Sequence, residues 1–286
     1  MSKIGIYYAY WTHNWDADFV PYVAKVKALG FDILEVNSGT VTNLSNSERD
    51  RLKTAAERAG IELTYCIGLT AGYDIASEDV TVRENGIAFL KKQAEMLKYM
   101  NGKKLGGIIY GSWPGKLPPG ADKSPFVERS IKSMREVMKT VEDCDVHFNV
   151  EVVNRFEQYI LNTCEEGLDY VERVGSRHCK VLLDTFHMNI EEDSIYEAIV
   201  LAGSSLGHVH VGENNRRAPG RGRIPWFEIS RALKKIDYQG AVVMEPFLER
   251  GGEVGRDIAV YRDLRNGLDL DEEARRACQF IRAQLT

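Results

Sequence analysis

Short apolar runs alternate with longer amphipathic stretches along the whole chain. The runs fall at 4–8, 32–36, 62–67, 106–110, 146–152, 180–184, 207–211 and 241–245. Several are rich in Val and Ile without alternation, the pattern of parallel strands buried on both faces. They predict eight strands. Between them, 18–29 places Val20, Val23, Val26 and Leu29 at helical spacing and stops at Gly30, the residue best suited to a left-handed cap. Ser45 and Glu48 have capping-box spacing ahead of a helix over 49–59 that ends at Gly60. Further helices are predicted over 82–100, 125–141, 157–174, 195–202, 225–235 and 272–285. Eight strand–helix units predict an α/β fold, a (β/α)8 TIM barrel, filling residues 1–286 as a single domain. A doubly wound sheet would show a glycine-rich phosphate turn after its first strand, and YYAYWTHNW is not one.

Composition narrows the choice of partner. Lys+Arg 37 against Asp+Glu 42 gives a formal charge of −5, a poor match to a polyphosphate backbone, so no nucleic-acid partner is expected. The five cysteines are scattered and form no CxxC pair, which fits reduced thiols in the cytoplasm better than a disulfide framework or a zinc ribbon. The N-terminal MSKIGIYYAYW lacks signal-peptide architecture, and no apolar run approaches the roughly 18 residues of a membrane span. No membrane partner is expected.

Chemistry in such a barrel sits at the C-terminal ends of the strands. In the second half of the chain, HFNVEVVN carries Glu151, KVLLDTFH carries Asp184, GHVHVGEN carries His210 and AVVMEPF carries Glu245. An ionisable residue at the mouth of a buried strand is costly unless it is paired or binds a metal. Each alone reads more readily as a cap or ion-pair partner, but four on consecutive strands point to one metal site. Three carboxylates and an imidazole suit an octahedral divalent ion such as Mn²⁺, Co²⁺ or Mg²⁺ better than structural zinc. His208, two residues before His210, shares its face one layer deeper and reads as a core or supporting residue. Glu157, His187 and Arg216 follow these strands in loops where a substrate would be oriented. The rest of the basic run RRAPGRGR is expected to be solvated surface. Tyr7, Cys66 and Ile108 end the first-half strands, with Trp15 and Trp113 in the loops beyond. Rings and small apolar groups around a polar centre suit a sugar. Cys66 lacks a basic or histidine neighbour in sequence and reads as a wall residue, not a nucleophile.

The stretches EVVNRFEQYILNT, VLLDTFHMNIEED, GHVHVGENNRRAPGRG and MEPF, with GIYYAYW at the start, resemble the ketose 3-epimerases. These are the D-tagatose 3-epimerase and D-psicose (allulose) 3-epimerase group of the sugar isomerase/epimerase barrels. The resemblance implies metal ligation by Glu151, Asp184, His210 and Glu245, with one divalent ion per subunit, manganese foremost. It implies substrate contacts from Glu157, His187 and Arg216, and a pocket wall of Tyr7, Trp15, Cys66, Ile108, Trp113 and Phe247. It further implies epimerisation of free ketohexoses at carbon 3 (D-fructose/D-psicose, D-tagatose/D-sorbose) through a cis-enediolate. Glu151 and Glu245 would be the two acid/base groups of a homodimeric or homotetrameric enzyme. The competing reading within the fold is an aldose–ketose isomerase of the hydroxypyruvate type, moving the proton between carbons 1 and 2. An abasic-DNA endonuclease would need more histidine ligands than six histidines readily supply. A non-catalytic sugar-binding protein is the third reading, and loss of turnover in Glu151→Gln and Glu245→Gln variants that still bind ketose would exclude it.

Overall fold

The eight apolar runs become eight parallel strands in a computed structural model of the chain, which describes residues 2–285. They are β1 (Ile4–Tyr7), β2 (Ile33–Asn37), β3 (Glu62–Cys66), β4 (Lys104–Gly107), β5 (His147–Val152), β6 (Cys179–Asp184), β7 (Leu206–Val211) and β8 (Val242–Met244). They close into a barrel in sequence order, with β8 returning to β1 through the pairing of Ile4 with Val242 and Ile6 with Met244. Strand residues are buried almost without interruption, as the unbroken apolar runs require.

Among the described residues the helices are α1 (Val20–Leu29), α2 (Ser38–Asn43), α3 (Asn46–Ala59), α4 (Val80–Tyr99), α5 (Ser124–Asp143), α6 (Cys164–Val174), α7 (Thr185–Glu191), α8 (Ile195–Ala202), α9 (Trp226–Lys235), α10 (Gly252–Asp257) and α11 (Leu270–Leu285). Gly30 and Gly60 end α1 and α3 in the left-handed region, at φ 94° and 65°. The capping box forms: Ser45 Oγ accepts from Glu48 N at 3.3 Å, and Glu48 Oε2 accepts from Ser45 N at 2.8 Å. No helix among the described residues is long and apolar enough to cross a membrane.

Contacts concentrate in two compact units, one of residues up to Tyr65 together with those from Val209 onward, the other Cys66–His208. In the first, β1 pairs with β2 and β8, α1 packs on α3 and α11, and Val23, Val26 and Leu29 are buried. In the second, β5 lies between β4 and β6, α5 packs on α4 and α6, and Met134, Val137, Met138 and Val141 form the buried stripe of α5.

Most expected boundaries shift by a few residues, and two of the shifts shape the site. The fourth strand is Lys104–Gly107 and not 106–110, because Gly107 takes φ 113° and leaves the extended conformation there. A side chain at Gly107 would collide with the Ile67 carbonyl, so the bend needs glycine. The helix expected over 157–174 starts only at Cys164. Side chains occupy the backbone groups that a helix would use: Gln158 Oε1 accepts from Ile160 N at 2.8 Å. Asn162 Nδ2 donates to the carbonyls of Val153 and Gln158 at 2.9 and 2.8 Å. Thr163 then caps α6. The loop that results carries Asn154 and Glu157.

Candidate metal centre and active site

Glu151 lies in β5, Asp184 ends β6, His210 lies in β7, and Glu245 follows β8 directly. Glu245 keeps the ladder going by donating its N–H to the Val211 carbonyl at 3.0 Å. Strand geometry thus aims all four side chains from rigid backbone. One oxygen from each carboxylate and one ring nitrogen of His210 lie within 4.8 Å of one another, and all four residues are buried. Three buried carboxylates this close repel one another unless a positive charge sits among them. Oxygen donors plus one imidazole are the donor chemistry of a hard or borderline divalent cation, so the residues fit such an ion. Glu35, Cys66 and His210 also fall within the same separation. That set has one carboxylate only, and its histidine nitrogen on the Glu35 side is already hydrogen-bonded.

In the first unit, His210 Nε2 lies 2.6 Å from Glu35 Oε1, and Thr64 Oγ1 donates to Glu35 Oε2 at 2.8 Å. The other ring nitrogen, Nδ1, lies 3.8 Å from Glu245 Oε2. Tyr7, at the end of β1, and Phe247 pack edge to face at 6.2 Å, and Trp15 meets the same Phe247 ring at 6.3 Å. The Trp15 indole donates to Asp257 Oδ2 at 2.9 Å, which fixes its loop to α10. Arg216 is buried at φ 59°, a conformation that costs a non-glycine residue of order 1 kcal/mol or more. It is held by Arg216 N donating to the Glu213 carbonyl at 2.8 Å and Phe247 N donating to the Arg216 carbonyl at 3.1 Å. Its guanidinium carbon stands 5.1 Å over the Phe247 ring.

In the second unit, Asn154 N and Nδ2 lie 3.2 and 2.7 Å from His187 Nδ1. A backbone N–H can only donate, so Nδ1 accepts and the proton of a neutral His187 sits on Nε2. That nitrogen lies 4.0 Å from Glu151 Oε1. Glu157 accepts from Asn154 Nδ2 at 3.2 Å and from the Trp113 indole at 3.0 Å, so Asn154 ties Glu157 and His187 to one point. Arg155 clamps this loop to α7 through a two-pronged pair with Glu191, at 3.0 and 2.7 Å. The Arg155 hydrogen bonds hold the Glu191 carboxyl below its ordinary range. Asp184 caps α7 by accepting from Phe186 N at 2.6 Å. Ile108 is buried one residue past β4, and Cys66 is buried at the end of β3. The Tyr110 phenol, fully buried, is raised well above its ordinary value by burial and by the charge of Glu151.

Glu35, Asn154 and Glu213 emerge from the structure and not from the sequence. Glu35 had a signal: it is a carboxylate in a strand whose other buried members are Ile33, Leu34 and Val36. Residues 220–223 are exposed, as expected, whereas Ala218 and Pro219 are buried, and Glu213 anchors the loop that carries them. Its carboxylate accepts from Gly220 N at 2.5 Å, Ile224 N at 3.1 Å and the Trp226 indole at 3.0 Å. Arg221 is paired with Glu273 of α11 at 2.9 Å. The loop is therefore pinned from within.

A family profile described as "Xylose isomerase-like TIM barrel" matches residues 23–284. The chain is 49% identical to a D-psicose 3-epimerase of Ruminiclostridium cellulolyticum, over 98% of this chain and 97% of that one. It is 44% identical to a D-psicose 3-epimerase of Enterocloster bolteae, over 98% and 95%. A crystal structure of D-psicose 3-epimerase with D-tagatose from Clostridium cellulolyticum H10 matches with a TM-score of 0.97 at 49% identity, covering 99% of each chain.

Proposed function

The chain belongs to the xylose isomerase-like TIM barrel family, and from that premise we propose that it is a ketose 3-epimerase acting on free ketohexoses. Its substrates in this reading are the pairs D-fructose/D-psicose and D-tagatose/D-sorbose. The observation that carries the reading is the gathering of Glu151, Asp184, His210 and Glu245 within 4.8 Å, in a chain whose full-length relatives bear the name D-psicose 3-epimerase. Those names do not favour the aldose–ketose isomerase.

Glu151, Asp184, His210 and Glu245 would hold one divalent cation, manganese first, with cobalt or magnesium suited to the same donors. When bound, such an ion would supply the Lewis acidity that a carboxylate base needs in order to take the weakly acidic hydrogen at carbon 3. Inversion requires removal of that hydrogen from one face and return from the other, hence two groups. Glu151 and Glu245 fill those roles, each the base for one epimer and the acid for the other. Asp184 spends one oxygen capping α7 and His210 one nitrogen on Glu35, which suits both to ligation alone. His187, through its Nε2–H, Arg216, through its guanidinium, and Glu157 would hold the sugar oxygens at carbons 1 to 3 and keep the reacting C–H aligned. Tyr7, Trp15, Trp113 and Phe247, with Cys66 and Ile108, would form the wall on which the sugar's C–H faces rest. A cytoplasmic homodimer or homotetramer, folded as one domain, completes the proposal.

The test is isotopic. In D2O with Mn²⁺, D-fructose gains deuterium at carbon 3 as D-psicose appears, with carbon 1 untouched, by NMR. Deuterium at carbon 1 together with glucose or mannose would overturn the assignment in favour of an isomerase.

A further inference from the structure

Glu35 sits within β2, fully buried, with no place among the ligands or substrate contacts above. A carboxylate in a barrel strand is costly to bury, and its hydrogen bonds state what it is for. Both of its oxygens are engaged: Oε2 accepts the Thr64 hydroxyl at 2.8 Å, and Oε1 lies 2.6 Å from His210 Nε2. Thr64 and His210 are as deeply buried as Glu35. An ionised carboxylate only accepts, so the proton of a neutral His210 lies on Nε2 and the Nδ1 lone pair points to the side where Glu245 Oε2 stands at 3.8 Å. We infer that Glu35 is a positioning residue: it fixes the tautomer and ring orientation of His210 so that Nδ1 is presented as a ligand, and it makes that nitrogen a stronger donor.

The inference rests on the metal reading proposed above, and it acts wholly through His210. The register makes the arrangement rigid. Glu35 is held by β2, paired to β1 at Tyr7, and His210 by β7, paired to β8 at Val243. Neither side chain needs to move to keep the bond. Thr64, on β3, fixes the second carboxylate oxygen and so the plane of the first.

The test uses the metal-free protein and Mn²⁺ alone. Nitrogen-15 NMR of the apo chain, with the His210 signals identified by their loss in His210→Asn, reads the tautomer directly. Wild type shows the ring hydrogen on Nε2 and not on Nδ1. Glu35→Leu removes the acceptor, mixes the tautomers and weakens Mn²⁺ binding by about 10- to 100-fold, the usual effect of losing such a partner. Glu35→Gln can still accept from Nε2 through its oxygen while its amide donates to Thr64. It keeps the tautomer and recovers most of the affinity. A purely structural role would lower the melting temperature of both variants and leave the tautomer and the affinity of the folded fraction unchanged, which would overturn the inference. So would a wild-type His210 carrying its proton on Nδ1. If Glu35→Leu does not fold, the wild-type tautomer and the Gln variant decide. A wild type without Mn²⁺ affinity faults the metal reading itself, whereas equal affinity in wild type and variants faults only the role of Glu35.

Discussion

Two carboxylates on opposite sides of one carbon make a prediction that a single-base enzyme would not meet. With Glu245 replaced by Gln, Glu151 can still remove and return the hydrogen of the one epimer that it faces. That ketose should exchange its carbon-3 hydrogen with D2O without becoming its partner sugar, and Glu151→Gln should do the same for the other member of the pair. Net epimerisation falls in each by about 10²- to 10⁴-fold, the usual contribution of a positioned acid/base group. Exchange of both epimers by either variant, read by NMR, would contradict the two-base assignment. The four candidate ligands are legible in the sequence because each is the last or last-but-one residue of an otherwise apolar run, on four consecutive strands, where a charge demands an explanation. Glu35 stands last but one in its own run, 32–36, but no carboxylate or histidine ends the runs on either side, and its partner His210 is 175 residues away. Asn154 is hidden because its work is done by geometry, through two hydrogen bonds that meet at His187 Nδ1.

At the level of elements, strands and caps follow from local sequence, and loops follow from side chains that no periodicity reports. Gly30, Gly60 and the Ser45–Glu48 box place helix ends where their chemistry predicts. The segment 157–163 has helical periodicity but spends Gln158 and Asn162 on nearby backbone groups and Thr163 on capping α6, and so becomes a loop. Short α2, α7 and α10 escape prediction because six or seven residues show too little period. The join between α11 and the 216–223 loop gives a pH test. Burial would raise the Glu273 carboxyl, but hydrogen bonds from Arg221 and Arg276 outweigh it and hold the group at about 2, against an ordinary value of 4.5. A carboxyl depressed in the folded state stabilises above its unfolded value and loses that stabilisation as pH falls through its folded one. Glu273→Gln should therefore melt below wild type at neutral pH, and the gap should narrow as pH drops from 4.5 toward 2. A gap constant across that window, by thermal denaturation, would show that shape and not charge holds the joint.

For the whole molecule, barrel order matters most. Closure in the sequence β1 to β8 makes β5, β6, β7 and β8 consecutive neighbours, which is what lets four residues spread over 95 positions of chain (151 to 245) supply one cluster. The same order was implied by eight apolar runs separated by amphipathic stretches. What periodicity could not give was the bend at Gly107 or the pinning of the 216–223 loop by Glu213, since both depend on contacts that only the closed fold creates. Whether carbon-3 epimerisation runs through a bound divalent cation is decided by one assay. The protein is stripped with a chelator, dialysed and incubated with D-fructose, with and without added Mn²⁺, and the sugars are separated. D-psicose is expected only in the Mn²⁺ arm; equal D-psicose in both arms, or glucose or mannose as the product, rules out a cation-dependent carbon-3 epimerase.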